Sequence, residues 1–379
     1  MRTSFPILCP SECFCVLGYR QWTISCEDVH DVVVLLIYSA SFIKLYFSNI
    51  GVDELTTDAF DGLQSITSLD LAFNKLMFLP TELFRNKPLL KKIDLHHNQI
   101  HTLPYDLVSN IPNLYSLDCS HNKLTALPVE FFRDNLNSEY LNFDHNELST
   151  LPAHVFHQLY KLIYLFLSYN KIDALPTALF DSLDLNWLTL NDNRLTMISP
   201  GLLDELPNLQ RLSLHNNKLS SFAQVGSYPY MDSFTIHNNQ LVNITHDMLA
   251  SKPAITDLSL SHNNLSVLYN GLFSRNVQLV DLKLNNNKLR EMSPGLFTNL
   301  GRLENLDLAE NKLVMIYDEV FDPLVSLMLL ILKRNYLWTL PVRLFVSLSY
   351  LVKWDVSEKD SLKDGYLVIR LERSQRLKV

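Results

Sequence analysis

Glycine is scarce in this chain, nine among 379 residues, and no glycine-rich loop that could cradle a phosphate is present. GxGxxG, GxSxG and HExxH are all absent. That excludes the dinucleotide turn, the nucleophile elbow and the zinc-protease helix, so no enzyme and no cofactor is expected. Basic residues are outnumbered, 32 against 40 acidic ones, for a net charge of −8. Phosphate backbones need a basic surface, so nucleic acid is not expected as the primary partner, although Lys91 and Lys92 form a local basic pair. The apolar run Val32 to Ile37 falls far short of the ~20 residues that cross a bilayer. Met1 to Leu8 is too short for the charged start, apolar core and cleavage site of a signal peptide. Cysteines number five, none of them after Cys119, and no Ser-Gly pair exists to carry a glycosaminoglycan chain.

What the chain has instead is a period. Asparagine recurs at Asn74, Asn98, Asn122, Asn146, Asn170, Asn193, Asn217, Asn239, Asn263, Asn287, Asn311 and Asn335, and nine of the eleven intervals are 24 residues. Each closes the frame LxxLxLxxNxL, as in Ile66 to Leu76. A period this strict predicts a stacked solenoid, an architecture suited to binding. Alternate leucines such as Leu69 and Leu71, Leu258 and Leu260, or Leu306 and Leu308 point the same way from a short strand. Stacking then lines the strands into one parallel sheet with the leucines behind it. The asparagine is expected to bond the backbone groups that the following turn leaves unpaired, in its own coil and the next, a structural task.

The second half of each unit reads LPxxxF, a return arm marked by Pro80, Pro104, Pro128, Pro152, Pro176 and Pro341. Phe60, Phe84, Phe132, Phe156, Phe180, Phe273, Phe297, Phe321 and Phe345 all fall ten residues after the asparagine position, which predicts an aromatic spine under the outer side. Cys119 occupies a leucine position and reads as a small buried hydrophobe. The 22-residue unit from Asn217 to Asn239 lacks the LPxxxF arm and is a candidate second contact site, with a harmless deletion as the default.

These features resemble the typical class of extracellular leucine-rich repeat proteins. The resemblance covers residues 27–359, with Ile50 and Lys359 at the asparagine position of the first and last coils. It implies an α/β solenoid of about 14 coils, a horseshoe with a parallel concave β-sheet and irregular or short-helical convex arms. Residues 1–26 would form an N-terminal tail and cap, and residues 360–379 a charged tail. Cys9, Cys13, Cys15 and Cys26 resemble the family's N-terminal disulfide cap, whose pairing would be Cys9–Cys15 and Cys13–Cys26. A zinc site is the alternative, and without a second CxxC-type pair the spacing fits it poorly. A cap is needed because the first coil has no neighbour to cover its apolar edge. Disulfides imply an oxidising compartment, and the chain is expected to be incomplete at both ends. Asn243-Ile-Thr245 and Asn264-Leu-Ser266 are glycosylation sequons, Asn264 the favoured one because it follows a ladder asparagine.

Specificity should lie at the variable positions between the leucines. Four residues before the ladder asparagines stand Asp70, Asp94 and Asp118, a strip that should repel itself and that would suit a basic partner or a divalent cation. One residue before stand His97, His121 and His145, candidates for pH sensing or a weak metal site, although no resident metal is expected. Tyr140, Tyr164, Phe166, Tyr169 and Trp187 gather in the middle of the same face, residue types enriched in protein-binding hot spots. The expectation is an extracellular, secreted or cell-surface protein whose concave face binds a protein ligand or receptor partner, in recognition, adhesion or signalling. Membrane attachment would require the chain to continue beyond residue 379. The alternative is a secreted matrix component or a non-catalytic accessory subunit.

Overall fold

The computed structural model describes residues 43–223, 226–340 and 346–357, together with the backbone of two strands at 13–18 and 21–26. The expectations for Cys9, Pro341, Phe345, Lys359, the start of the first coil and the tail at 360–379 lie outside the described residues. The chain divides into two compact units: Met1–Leu195 with Gly201–Leu206, and Thr196–Pro200 with Pro207–Val379.

Unit 1 opens with an antiparallel hairpin of β1 (Cys13–Gly18) and β2 (Gln21–Cys26), in which Cys13 stands directly across from Cys26. β2 then pairs in parallel with β3 (Ile43–Tyr46), so the hairpin occupies the edge of that strand. From there one strand per coil adds in parallel: β4 (Ile66–Asp70), β5 (Lys92–Asp94), β6 (Ser116–Asp118), β7 (Tyr140–Asn142), β8 (Tyr164–Phe166) and β9 (Trp187–Thr189). The pairing register matches equivalent repeat positions, Leu69 to Ile93 to Leu117 to Leu141 to Leu165 to Leu188. These residues and their neighbours Leu71, Leu95, Cys119, Phe143, Leu167 and Leu190 are buried, because period-two alternation sends every second side chain to one face.

The asparagine ladder does what the turn requires, with one difference. Asn146 Oδ1 accepts the Leu124 N–H at 3.0 Å, while its Nδ2 donates to the carbonyls of Cys119 (2.9 Å), Phe143 (3.1 Å) and Asp144 (3.2 Å). Leu124 and Cys119 belong to the preceding coil, so each asparagine ties its coil back to the one before it rather than to the next. Asn98, Asn122 and Asn170 repeat the pattern. In the return arms the phenylalanines stack across coils, Phe60 with Phe84 and Phe132 with Phe156, at 6.0 Å between ring centres in both pairs. Val108 interrupts this spine as its sequence position requires. Lys87 is buried where Ile111 and Leu159 stand in other coils; its ammonium donates to the Arg85 carbonyl at 2.9 Å, and burial holds its pKa below the usual lysine range.

Unit 2 continues the same plan with β10 (Arg211–Ser213), β11 (Ser233–Thr235), α1 (His246–Ala250), β12 (Asp257–Ser259), β13 (Asp281–Lys283), β14 (Asn305–Asp307), β15 (Leu329–Ile331) and β16 (Lys353–Asp355). All these strands pair in parallel, in sequence order. Among the described residues its arms are irregular turns apart from α1, where Thr245 caps the helix by accepting the Met248 N–H at 3.3 Å. The 22-residue coil solves its missing phenylalanine with a different ring. Tyr228 is fully buried, and the Lys252 ammonium lies 4.7 Å from its centre while donating to the Met248 carbonyl. Phe273, Phe297 and Phe321 restore the spine beyond it, at 6.3 and 5.9 Å.

Candidate binding face

Two columns of side chains alternate with the buried leucines on the strands of unit 1, and therefore stand on the opposite side of the sheet. The register makes the first Ser68, Lys92, Ser116, Tyr140, Tyr164 and Trp187, and the second Asp70, Asp94, Asp118, Asn142, Phe166 and Thr189. The aspartates are on consecutive rungs, ~4.8 Å apart. Each turns an oxygen onto the backbone two residues ahead. Asp70 accepts the Ala72 N–H at 2.9 Å, Asp94 the His96 N–H at 3.3 Å and the His96 ring nitrogen at 2.5 Å, and Asp118 the Ser120 N–H at 2.9 Å. This is the aspartate's ordinary turn bond, and it offsets part of the expected repulsion. The repulsion survives at Asp70, whose pKa is raised by burial first and by the Asp94 charge beyond that; Lys92 pulls the other way.

The expected aromatic cluster forms. Phe166 lies 5.4 Å from Tyr140 and 5.3 Å from Trp187, and Tyr164 completes the group at 6.3 Å from Tyr140 and 6.5 Å from Trp187. Tyr164 is exposed, and Tyr140, Phe166 and Trp187 are half-buried. The Tyr140 hydroxyl is pushed up to about 12, by burial first and then by the Asp118 charge. The acid strip thus runs directly into the rings.

Tyr169 belongs elsewhere. It ends a continuous stack, Phe73, His97, His121, His145, Tyr169, with ring centres 4.4, 4.0, 4.1 and 4.1 Å apart and successive planes within 19°. All five residues have φ of +53° or +54°. Every turn places the residue before its asparagine in this left-handed region, which histidine, asparagine and aspartate tolerate better than most residues. Histidine is compatible with this backbone, as are the Phe73 and Tyr169 that flank the column. Stacked rings also keep their nitrogen lone pairs in parallel planes, so they do not converge on one ion. Among the described residues, no group of three or more metal-ligating side chains is arranged to hold a metal. Burial and the neighbouring histidines lower the His97 and His121 pKa values, against a weaker opposing pull from Asp118.

One group on this face was not anticipated. Asp144 sits two residues before Asn146, in a column whose other members are mostly small or polar. Its carboxylate reaches across two coils to accept the Ser168 N–H at 2.5 Å and the Thr189 hydroxyl at 3.5 Å. Burial raises its pKa from 3.8 to about 6 despite those bonds. An isolated acidic residue in the repeat carries no sequence signal for such a reach.

On the strand face of unit 2, Ser213 Oγ is 3.0 Å from His215 Nδ1 and 2.9 Å from Thr235 Oγ1, and the His215 and His237 rings stack at 4.4 Å, while later rungs carry Asp257, Asp281, Lys283 and Asp307. Of the two sequons, Asn243 is exposed and Asn264 half-buried, which reverses the expected preference because a glycan needs open solvent. Cys119 is a fully buried free thiol, its pKa raised well above normal by burial. Of the four N-terminal cysteines, the backbone register is described for Cys13, opposite Cys26, and for Cys15, opposite Ile24.

A stack of coils, most of them 24 residues long and closed by a buried asparagine, and backed by leucines, defines a leucine-rich repeat solenoid. The leucine rich repeat family profile matches residues 44–110, 112–172, 183–226, 229–289 and 278–337, and the chain belongs to that family. No curated protein matches it by sequence. Among solved structures it is similar to TLR13 in the TLR13–ssRNA13 complex (24% identity, TM-score 0.70, covering 85% of this chain and 48% of that one). It is also similar to the glycosylated Toll–Spatzle complex of Drosophila (19%, 0.68, 92% and 56%). An internalin, inlF, of Listeria monocytogenes is a further match (21%, 0.65, 85% and 87%). At these identities the likeness concerns the fold, and the chain spans about half the length of the TLR13 and Toll structures.

Proposed function

We propose that this chain is the repeat region of an extracellular recognition protein that grips a protein ligand on the strand face of unit 1. The observation that carries the reading is the ring cluster Tyr140, Tyr164, Phe166 and Trp187 on three adjacent strands. The fold does not require aromatics there, since the same columns elsewhere hold serine, lysine, aspartate and asparagine. Rings on a rigid sheet lose little entropy on binding and are the residue types that dominate contact energy. The four clustered cysteines and two sequons support an extracellular setting. The Toll structure is a complex with Spatzle and the TLR13 structure one with ssRNA, so both partner classes occur on this fold. The acid strip beside the rings favours protein here, because phosphates would meet like charge. No catalysis is assigned.

The test is Tyr164→Ala with Trp187→Ala, measured against a partner identified by photo-cross-linking from position 164. Loss of several kcal/mol, roughly 2 or more for each ring, is expected. Unchanged affinity in a variant whose circular dichroism is intact would refute the assignment.

A further inference from the structure

Resting on the reading that unit 1 binds through its strand face, we infer that the segment it takes is an extended, basic stretch of polypeptide. In this arrangement an arginine or lysine is held over the Tyr164–Phe166–Trp187 rings and further basic side chains lie along Asp118, Asp94 and Asp70. The register fixes the order of these groups. Asp70, Asp94 and Asp118 are successive Cα partners in one column, Asn142 follows, and Phe166 is next. In the other column Tyr140, Tyr164 and Trp187 follow Ser116. From β4 to β9 is five rungs, roughly 24 Å, the reach of about seven extended residues.

The charge balance of this strip selects the occupant. Asp70, Asp94 and Asp118 stand on it in one column, against Lys92 in the neighbouring column, Lys91 just before it and Lys44 on β3. The acids keep accepting capacity: each of Asp70, Asp94 and Asp118 spends one oxygen on its own turn, and an ionised carboxylate offers about four lone-pair sites. Asp118 Oδ2 additionally accepts from Asn142 Nδ2 at 3.0 Å, so it is held facing the rings rather than swinging free. At the far end Phe166 lies between Tyr140 and Trp187, 5.4 and 5.3 Å from each, and Tyr164 is 37% exposed over the group. A guanidinium or ammonium within ~6 Å of such faces is attracted by the ring quadrupoles. Rings flanked by carboxylates suit a cation on both counts. An acidic segment or a nucleic acid would meet repulsion along the three aspartates.

The experiment is selection of a random 12-residue peptide library against the full chain at low salt. The enriched peptides are then synthesised and their binding measured by fluorescence anisotropy to four proteins. These are wild type, Asp94→Asn with Asp118→Asn, Tyr164→Ala with Trp187→Ala, and a control pair, Asp53→Asn with Glu54→Gln, exposed and off the strands. Asparagine keeps an oxygen for the turn bonds, and urea denaturation checks that each variant folds. The inference expects arginine- or lysine-rich peptides whose affinity falls about tenfold in each strand-face pair and stays unchanged in the control. Peptides without basic residues, sensitive to the ring pair alone, would overturn the inference and leave the strand-face reading standing. Peptides insensitive to both strand-face pairs would overturn both. A library that enriches nothing, or basic peptides weakened equally by the control pair, would overturn the inference.

Discussion

Replacing Asp144 by asparagine should stabilise the protein at neutral pH and do little in acid. In the folded chain the Asp144 pKa is about 6 against 3.8 for a free carboxyl, with burial as the leading cause. The folded state therefore holds the proton more tightly than the unfolded state, and stability falls as pH rises through the window from 3.8 to 6. Below that window both states are protonated and the penalty is absent; above it the penalty is complete. The gap corresponds to roughly 3 kcal/mol as an upper bound, and less for a side chain only partly removed from water. The asparagine side chain would keep an oxygen to accept the Ser168 N–H and the Thr189 hydroxyl, so the contacts need not be lost. The assay is urea denaturation followed by circular dichroism at unit steps from pH 4 to 8, taking wild type minus variant so that all other carboxylates cancel. Because solenoids can unfold in segments, amide exchange at Ser168 supplies a local measure. The expected difference is about 0.5 kcal/mol or less at pH 4, where the unfolded carboxyl has begun to ionise, and about 1–3 kcal/mol in the variant's favour at pH 7. A difference that does not change across this range would refute the reasoning.

Asn146→Ala should cost about 2–4 kcal/mol, since it orphans the buried Leu124 N–H and removes a donor from the Cys119 and Phe143 carbonyls; a loss no larger than that of an exposed substitution in the same urea assay would contradict the ladder's role. In the ring stack, the folded His97 and His121 pKa values lie below 6.5, so stability should drop as pH falls from 7.5 to 5.5. His97→Asn with His121→Asn should flatten that drop, asparagine being at home at φ near +53°, with His96, His145 and Asp118 as the charges that remain nearby. An equal drop in variant and wild type would show that the stack is not its source. For glycosylation, secretion from a eukaryotic host should give a mobility shift that Asn243→Gln abolishes and Asn264→Gln leaves; the reverse result would mean exposure does not decide between them.

The fold was legible because each coil must solve the same problem and solves it with the same residues. Alternating leucines, a turn asparagine and a ring in the arm are one requirement repeated, and the buried Leu69–Ile93–Leu117 row and Asn146 bonds follow from it. The ring cluster was legible too, because register in a parallel stack equals repeat position. What stayed hidden depends on reach and burial rather than on position. Asp144 looks like any polar residue until its carboxylate is seen to cross two coils to Thr189. The histidine column was visible, yet the left-handed backbone and the continuous ring stack it forms are written in φ and packing and not in the residue names. Tyr228 replaces the missing phenylalanine one place later than the period predicts, a shift that the repeat frame does not announce.

The positive φ before each asparagine divides the surface into two kinds of lettering. Strand columns such as Tyr140–Tyr164–Trp187 sit on extended backbone that accepts any side chain, so they can be rewritten freely to redirect recognition. Turn positions are edited under constraint: Phe73 and Tyr169 hold a conformation that costs about 1–2 kcal/mol for most residues, offset by the rings they stack on. Anyone grafting a new specificity onto this scaffold should therefore write it in the strands and leave the turns alone.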